Sequence, residues 1–285
     1  MTILSDMFTR LRAENRAALV GYLPAGYPDL TASKDLYAAI IEGGCDLVEV
    51  GLPFSDPVLD GPVIQHAAGQ ALANGFRVRD TFEIVESVTS RGGRAVVMTY
   101  FNPVLAYGVE KFARDLAAAG GAGVITPDLI VDEAGPWLDA VHAHGIDPIF
   151  LVAPSSSVER IALTAAAGGG FVYAASVMGV TGARDQVSSA APDLVARCRT
   201  VTDLPIGVGL GVRTGEQARQ IAQYADAVIV GSAFLGAYAQ GGRDAAAALA
   251  GEFAAGIRSA DRGATLGRAD QSVTSAPDSS DLVVQ

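Results

Sequence analysis

Eight short runs rich in apolar and β-branched residues recur along this chain, and they constrain its fold more than any other feature. They are Ala17–Leu23, Asp46–Val50, Ala95–Thr99, Gly123–Thr126, Pro148–Val152, Phe171–Ala174, Pro205–Val208 and Ala227–Val230. Between them lie segments that are apolar on one helical face, namely Leu30–Glu42, Val109–Ala119, Asp132–His144, Val158–Ala167 and Thr214–Tyr224. Strand–helix alternation requires crossover connections, and hence a parallel sheet covered by helices. Eight such units in 285 residues favour a closed, parallel eight-stranded (β/α)8 TIM barrel over an open doubly wound sheet. No Gly-x-Gly-x-x-Gly follows the first run, which counts further against a dinucleotide-binding sheet. Ser5–Glu14 reads as an extra helix before the first strand, and Thr81–Arg91 as an extra helix in the second strand-to-strand connection.

No domain boundary is expected within residues 1–258. From Ala260 onward Ser, Asp, Gly and Thr dominate and apolar residues are scattered, so 259–285 is expected to be a disordered tail without a catalytic role. The formal charge of −11 repels a phosphate backbone, and no nucleic acid partner is expected. A small anion is another matter, since backbone N–H groups bind phosphate without any lysine. Cys45 and Cys198 lie far apart and outside metal-ligand spacing, so both read as buried reduced thiols. Neither a charged-then-apolar leader nor a bilayer-length apolar stretch is found, so the expectation is a soluble, cytoplasmic protein with no membrane partner.

Elimination narrows the chemistry. A barrel gathers its reactive groups at the C-terminal ends of the strands. The two lysines, Lys34 and Lys111, fall in helices, which argues against a Schiff-base aldolase. His142 and His144 stand two apart on one helix and His66 sits on another, so no metal site is expected. Carboxylates, tyrosines and backbone amides remain, and they suit proton transfer. Alternation puts Leu47, Glu49 and Gly51 on one face of their strand. A glutamate in that apolar run either has a partner, such as a loop amide, or serves as an acid/base whose pKa burial has raised. Asp60, just before Gly61-Pro62, is well suited to cap the next helix. The long Gly-Leu-Pro-Phe-Ser-Asp-Pro loop before it also looks built to carry a carboxylate over the barrel mouth.

Three glycine clusters follow late strands: Gly179-Val-Thr-Gly182, Gly209-Leu-Gly211 and Gly231-Ser232. Each alone could be turn chemistry; together, in this order, they favour a phosphorylated substrate held by backbone amides. Tyr173 ends the sixth run, where its hydroxyl either enters the same mouth or anchors packing.

The residues then resemble a known family, the tryptophan synthase alpha subunit, from about Leu4 to about Tyr238. The most specific match is Pro53-Phe-Ser-Asp-Pro-Val-Leu-Asp-Gly-Pro62 with Glu49 upstream. Met98-Thr-Tyr-Phe-Asn-Pro103, Pro127-Asp-Leu129, Ser176 to Arg184, Gly207 to Val212 and Val230-Gly-Ser232 add to it. The resemblance implies a lyase that cleaves indole-3-glycerol phosphate to indole and D-glyceraldehyde 3-phosphate by a cofactor-free retro-aldol reaction, within tryptophan biosynthesis. The family's acid/base glutamate falls on Glu49, its indole N–H acceptor on Asp60 and its tyrosine on Tyr173. Phosphate-binding positions fall on Gly182, Gly211, Gly231 and Ser232, with Thr181 in a mobile loop. Tyr22, Met98, Ile125, Leu151 and Leu210 fall on the indole pocket.

A pyridoxal-phosphate beta subunit is the implied partner, in an alpha2beta2 heterotetramer, and the cofactor is expected only there. Asp56, Asn102 and Pro103 fall on loops the family uses to touch that partner, though each could equally be a solvated turn. Leu59 and Met178 depart from the family's usual residues in its two mobile loops, which bears on loop closure and turnover. The competing readings are a stand-alone indole-releasing lyase, a non-catalytic regulatory paralogue, and a sugar-phosphate isomerase barrel.

Overall fold

The computed structural model describes residues 1–175, 190–209 and 211–263. Its strands are β1 (Ala18–Pro24), β2 (Leu47–Gly51), β3 (Ala95–Met98), β4 (Gly123–Ile125), β5 (Asp147–Ile149), β6 (Leu151–Val152), β7 (Val172–Ala175), β8 (Ile206–Gly209) and β9 (Ala227–Val230). All pair in parallel, in the order β5-β4-β3-β2-β1-β9-β8-β7-β6. The two ends of that order are one strand. β5 and β6 are separated by Phe150 alone, whose carbonyl still accepts Tyr173 N at 3.1 Å. The expected run Pro148–Val152 is therefore a bent fifth strand, and the sheet is an eight-stranded (β/α)8 barrel.

The helices are α1 (Ile3–Ala13), α2 (Leu30–Gly43), α3 (Pro62–Ala73), α4 (Val78–Thr89), α5 (Phe101–Tyr107), α6 (Val109–Ala118), α7 (Gly135–Ala143), α8 (Val158–Ala167), α9 (Ala190–Arg199), α10 (Gly215–Ala222) and α11 (Ser232–Arg258). Two differ instructively from expectation. The single helix expected over Asp132–His144 is a short 3-10 turn, Val131–Glu133, followed by α7. Pro136 supplies no N–H and its ring is tolerated only in a first turn, so the α-helix starts beside it. Asn102 and Pro103, expected on a loop, lie in the first turn of α5.

Side-chain alternation divides the core in two. Outward-facing strand residues pack under the helices, with Phe112, Trp137, Phe234 and Phe253 fully buried there. Inward-facing Ala18, Val20, Leu47, Val96, Ile125, Ile149, Phe171, Ala227 and Ile229 fill the barrel. Its lower end is plugged by Leu4, Met7, Phe8 and Leu11 of α1, with the Phe8 and Phe171 rings 5.8 Å apart. Four buried side chains at about 1.5–3 kcal/mol each make α1 part of the barrel rather than an appendage.

The packed chain runs past the boundary expected at Arg258. Arg262 is buried and donates to the carbonyls of Ala222 and Ala225, both at 2.6 Å, and to Asp226 Oδ1 at 3.1 Å. The rest of the expected tail, 264–285, lies outside the described residues. Cys45 and Cys198 are both free and buried. Among the described residues no helix is long and apolar enough to cross a membrane.

Candidate active site

Glu49 is the inward-facing residue of β2 one layer above Leu47, in register with Tyr22 of β1 and Val96 of β3. It is 0% exposed, and neither carboxyl oxygen has a hydrogen-bond partner among the described residues. Burial strips water from the anion without replacing it, which pushes the carboxyl up to about 8. Among the described residues the loop-amide partner that the sequence left open for Glu49 is absent. At neutral pH this group mostly carries its proton.

Asp60 comes from the loop after β2. That loop is pinned by Tyr100, whose hydroxyl accepts Leu59 N at 2.9 Å and whose ring stands 5.0 Å from that of Phe54. The helix-cap reading of Asp60 fails, because Gly61 is the N-cap of α3 and Pro62 begins the helix. The Asp60 main-chain carbonyl instead accepts the Gln65 amide at 2.8 Å. The half-buried carboxyl is pushed up to about 6 by loss of hydration.

Tyr173, on β7, faces inward beside Leu151 and Gly207 and is half-buried. Burial raises its hydroxyl well above the ordinary tyrosine range, and the negative charges of Glu49 and Asp60 raise it further. Tyr22 is raised by burial and then by Asp60, Tyr37 and Glu49. The four groups thus share one electrostatic neighbourhood at the upper end of the barrel. Met98 at the end of β3, Ile125 at the end of β4 and Leu151 in β6 line the same interior. Gly231 is the N-cap of α11 and Ser232 its first residue, while Gly211 is exposed just beyond β8. Thr181, Gly182 and Leu210, with Met178, lie outside the described residues. Both lysines are engaged on the outer helices, Lys34 with Glu83 at 3.2 Å and Lys111 at 4.1 Å from the Tyr107 ring centroid.

The model of the tryptophan synthase alpha chain family matches residues 8–258. The chain belongs to that family. It is 63% identical over 257 residues to the tryptophan synthase alpha chain of Nocardia farcinica, covering 90% of this chain and 96% of that one. With the alpha chain of Mycolicibacterium paratuberculosis it shares 62% over 255 residues, 90% and 94% of the two chains. A solved structure of Mycobacterium tuberculosis tryptophan synthase superposes with a TM-score of 0.87 at 61% identity, covering 90% of this chain and 98% of the other.

Some features of this alpha chain were not legible as site features. Gly209 ends β8, and a Cβ there would overlap the Tyr173 hydroxyl. Its lost side chain makes room for a tyrosine, whereas the sequence placed it among phosphate-approach glycines. Gly51 does the same for Tyr22, since a Cβ would lie 2.6 Å from that hydroxyl. Glycine ending a strand that faces the barrel interior is the signal that could have found both. Asp56 is exposed and accepts the Ser55 hydroxyl at 2.6 Å; Asn102 is exposed and Pro103 half-buried. The α5 turn that carries the latter two is fixed by Asp128, whose oxygens accept Phe101 N at 2.9 and 3.1 Å.

Proposed function

We propose that this chain cleaves indole-3-glycerol phosphate to indole and D-glyceraldehyde 3-phosphate, as the alpha subunit of a tryptophan synthase. The observation that carries the reading is Glu49, a fully enclosed carboxyl with no partner among the described residues, pushed up to about 8 and facing the barrel interior. Such a group is a proton donor at neutral pH and a base once it has given the proton up. In the proposed step Glu49 protonates indole C3, forming the C–H bond and a cationic indolenine. Glu49 carboxylate then removes the proton of the glycerol hydroxyl next to the ring. The carbon–carbon electron pair returns to the ring, indole leaves, the alcohol becomes an aldehyde, and Glu49 is protonated again.

Asp60 is assigned to the ring N–H, where a carboxylate stabilises the developing positive charge. Its pKa near 6 keeps it ionised while Glu49 is not. Tyr173 is assigned a hydroxyl contact to the glycerol portion, and Tyr22, Met98, Ile125, Leu151 and Leu210 a flat apolar slot for the ring. Gly211, Gly231 and Ser232, with Thr181 and Gly182, are assigned to the phosphate, at the N-terminus of α11 where amides and helix dipole favour an anion. No cofactor enters this scheme; pyridoxal phosphate belongs to the beta subunit proposed as partner in an alpha2beta2 assembly. Asp56, Asn102 and Pro103 are assigned to that interface, beside exposed Val58 and Leu105, and the enzyme is assigned to the cytoplasm.

The test is indole release from indole-3-glycerol phosphate, measured alone and with a beta subunit. Slow release that the beta subunit accelerates is expected; no indole under either condition rejects the proposal. Rapid release indifferent to the beta subunit would favour a stand-alone lyase.

A further inference from the structure

We infer that Tyr37 is a positioning residue for Glu49, acting from the outer side of the barrel wall through the end of β1 and its pairing with Gly51; this rests on the reading of Glu49 as the acid. Tyr37 belongs to α2, is completely buried, and sends its hydroxyl to the end of β1. There it donates to the Leu23 carbonyl of β1, next to Pro24, the residue that pairs with Gly51 of β2. A phenol thus anchors the end of β1 at the level just above the Tyr22–Glu49 pair.

Gly51 is the element through which this reaches the site. It follows Glu49 by two residues on the same inward face of β2. Its inner side carries the Tyr22 hydroxyl in the space a Cβ would fill. Its carbonyl accepts Ala25 N at 2.8 Å, and the next residue, Leu52, donates to the Met98 carbonyl at 2.9 Å. Gly51 is therefore held from the β1 side by the strand end that Tyr37 anchors, from inside by Tyr22 and from the β3 side through Leu52. Glycine has no side chain to hold its own place, and Glu49 has no hydrogen bond among the described residues to hold its carboxyl. The position and dryness of that carboxyl then depend on how firmly the strand end above it is held. Of the three supports, Tyr37 is the one that no substrate would touch, because it approaches from the helix side.

Tyr37→Phe keeps the ring and removes only the hydroxyl; Tyr37→Met fills the space without ring or hydroxyl. Both are made in the full chain. The first readout is the titration of the Glu49 carboxyl by its infrared C=O stretch, assigned as the band lost in Glu49→Gln. The midpoint is expected to fall by about half a pH unit or more in both variants, because a looser strand end admits water to the carboxyl. The second readout is indole formation, in which kcat is expected to fall about tenfold with KM within about twofold, as for a displaced reacting group. Phe253→Leu, a core truncation in α11, serves as the control for general loosening and should leave the midpoint in place. An unmoved midpoint in either Tyr37 variant overturns the inference, and so does an equal shift in Phe253→Leu. If the unaltered chain makes no indole, the functional reading fails, while the titration still decides the role of Tyr37.

Discussion

The carboxylates at the two ends of the barrel are treated in opposite ways. At the lower end Asp46 accepts both guanidinium arms of Arg16, at 2.8 and 2.9 Å, and the Leu19 amide at 3.0 Å. Asp226 there is clamped by Arg199 at 3.0 Å, Arg262 at 3.1 Å and the Ile206 amide at 2.9 Å. At the upper end Glu49 has no partner among the described residues, and Asp60 is raised by lost hydration. Paired carboxylates join strands to helices and to the segment that follows α11. Bare ones cost stability, and a fold tolerates that cost where the proton is in use. Asp147, at the start of β5, lies between the extremes: buried, with one oxygen unpartnered among the described residues, its pKa raised by burial and drawn back by Thr2.

The largest effect should come from Glu49→Gln, which keeps shape and removes the titrating proton. Indole formation is expected to fall by about 10³-fold, within the usual range for a lost general acid/base. Stability should move the other way. The folded value near 8 lies above the ordinary value of 4.5, so the native chain holds this proton longer than the unfolded one. The resulting stabilisation is complete below pH 4.5 and is lost as pH rises toward 8. The glutamine variant removes that slope and is expected to be more stable at pH 7 by roughly 3 kcal/mol at most. Urea melts of both proteins between pH 5 and 8 test this, and parallel curves would break the contrast between the two ends.

Asp60 sharpens it. With Asp60 ionised above about 6 and Glu49 protonated below about 8, kcat/KM should follow a bell between those values. Asp60→Asn is expected to cost about 10²-fold and to remove the acid limb while leaving the alkaline one. A pH profile with both limbs intact in that variant would take Asp60 out of the mechanism.

Gly209→Ala comes next, because the new methyl enters the space of the Tyr173 hydroxyl. Overpacking of this kind costs about 1–3 kcal/mol, and indole formation is expected to fall several-fold or more as the hydroxyl is displaced. A second change, Tyr173→Phe, frees that space and should restore the lost stability. Melting temperatures of the single and double variants decide it, and additive losses would mean the two residues do not meet.

What could be read from the sequence follows the same division. The barrel was legible because strand and helix periods are set by local geometry, and Glu49 stood out as the one charge in an apolar run. The bend at Phe150 was not, since five apolar residues read alike whether straight or bent. The role of Gly209 depends on a tyrosine from the neighbouring strand, and that of Tyr37 on a carbonyl fourteen residues earlier in the chain. No local pattern carries either. Arg262 was hidden for a related reason: a lone arginine in a polar stretch looks solvated until the carbonyls it covers are known.

Arg262 gives the smallest effect on activity and the cleanest separation of the two ends. Arg262→Ala strips the donor from the Ala222 and Ala225 carbonyls but leaves Asp226 its bonds to Arg199 and the Ile206 amide. The loss is therefore that of two buried carbonyl contacts and one ion-pair arm, about 1–3 kcal/mol, rather than that of an isolated buried charge. In a chain of this size that lowers the melting temperature by a few degrees for each kcal/mol. Indole formation well below the melting temperature should stay within about twofold, because nothing joins Arg262 to the upper end except the strands themselves. A fall in kcat comparable to that in Gly209→Ala would mean that the clamp around Asp226 helps to shape the mouth, and the two ends would have to be treated as one network.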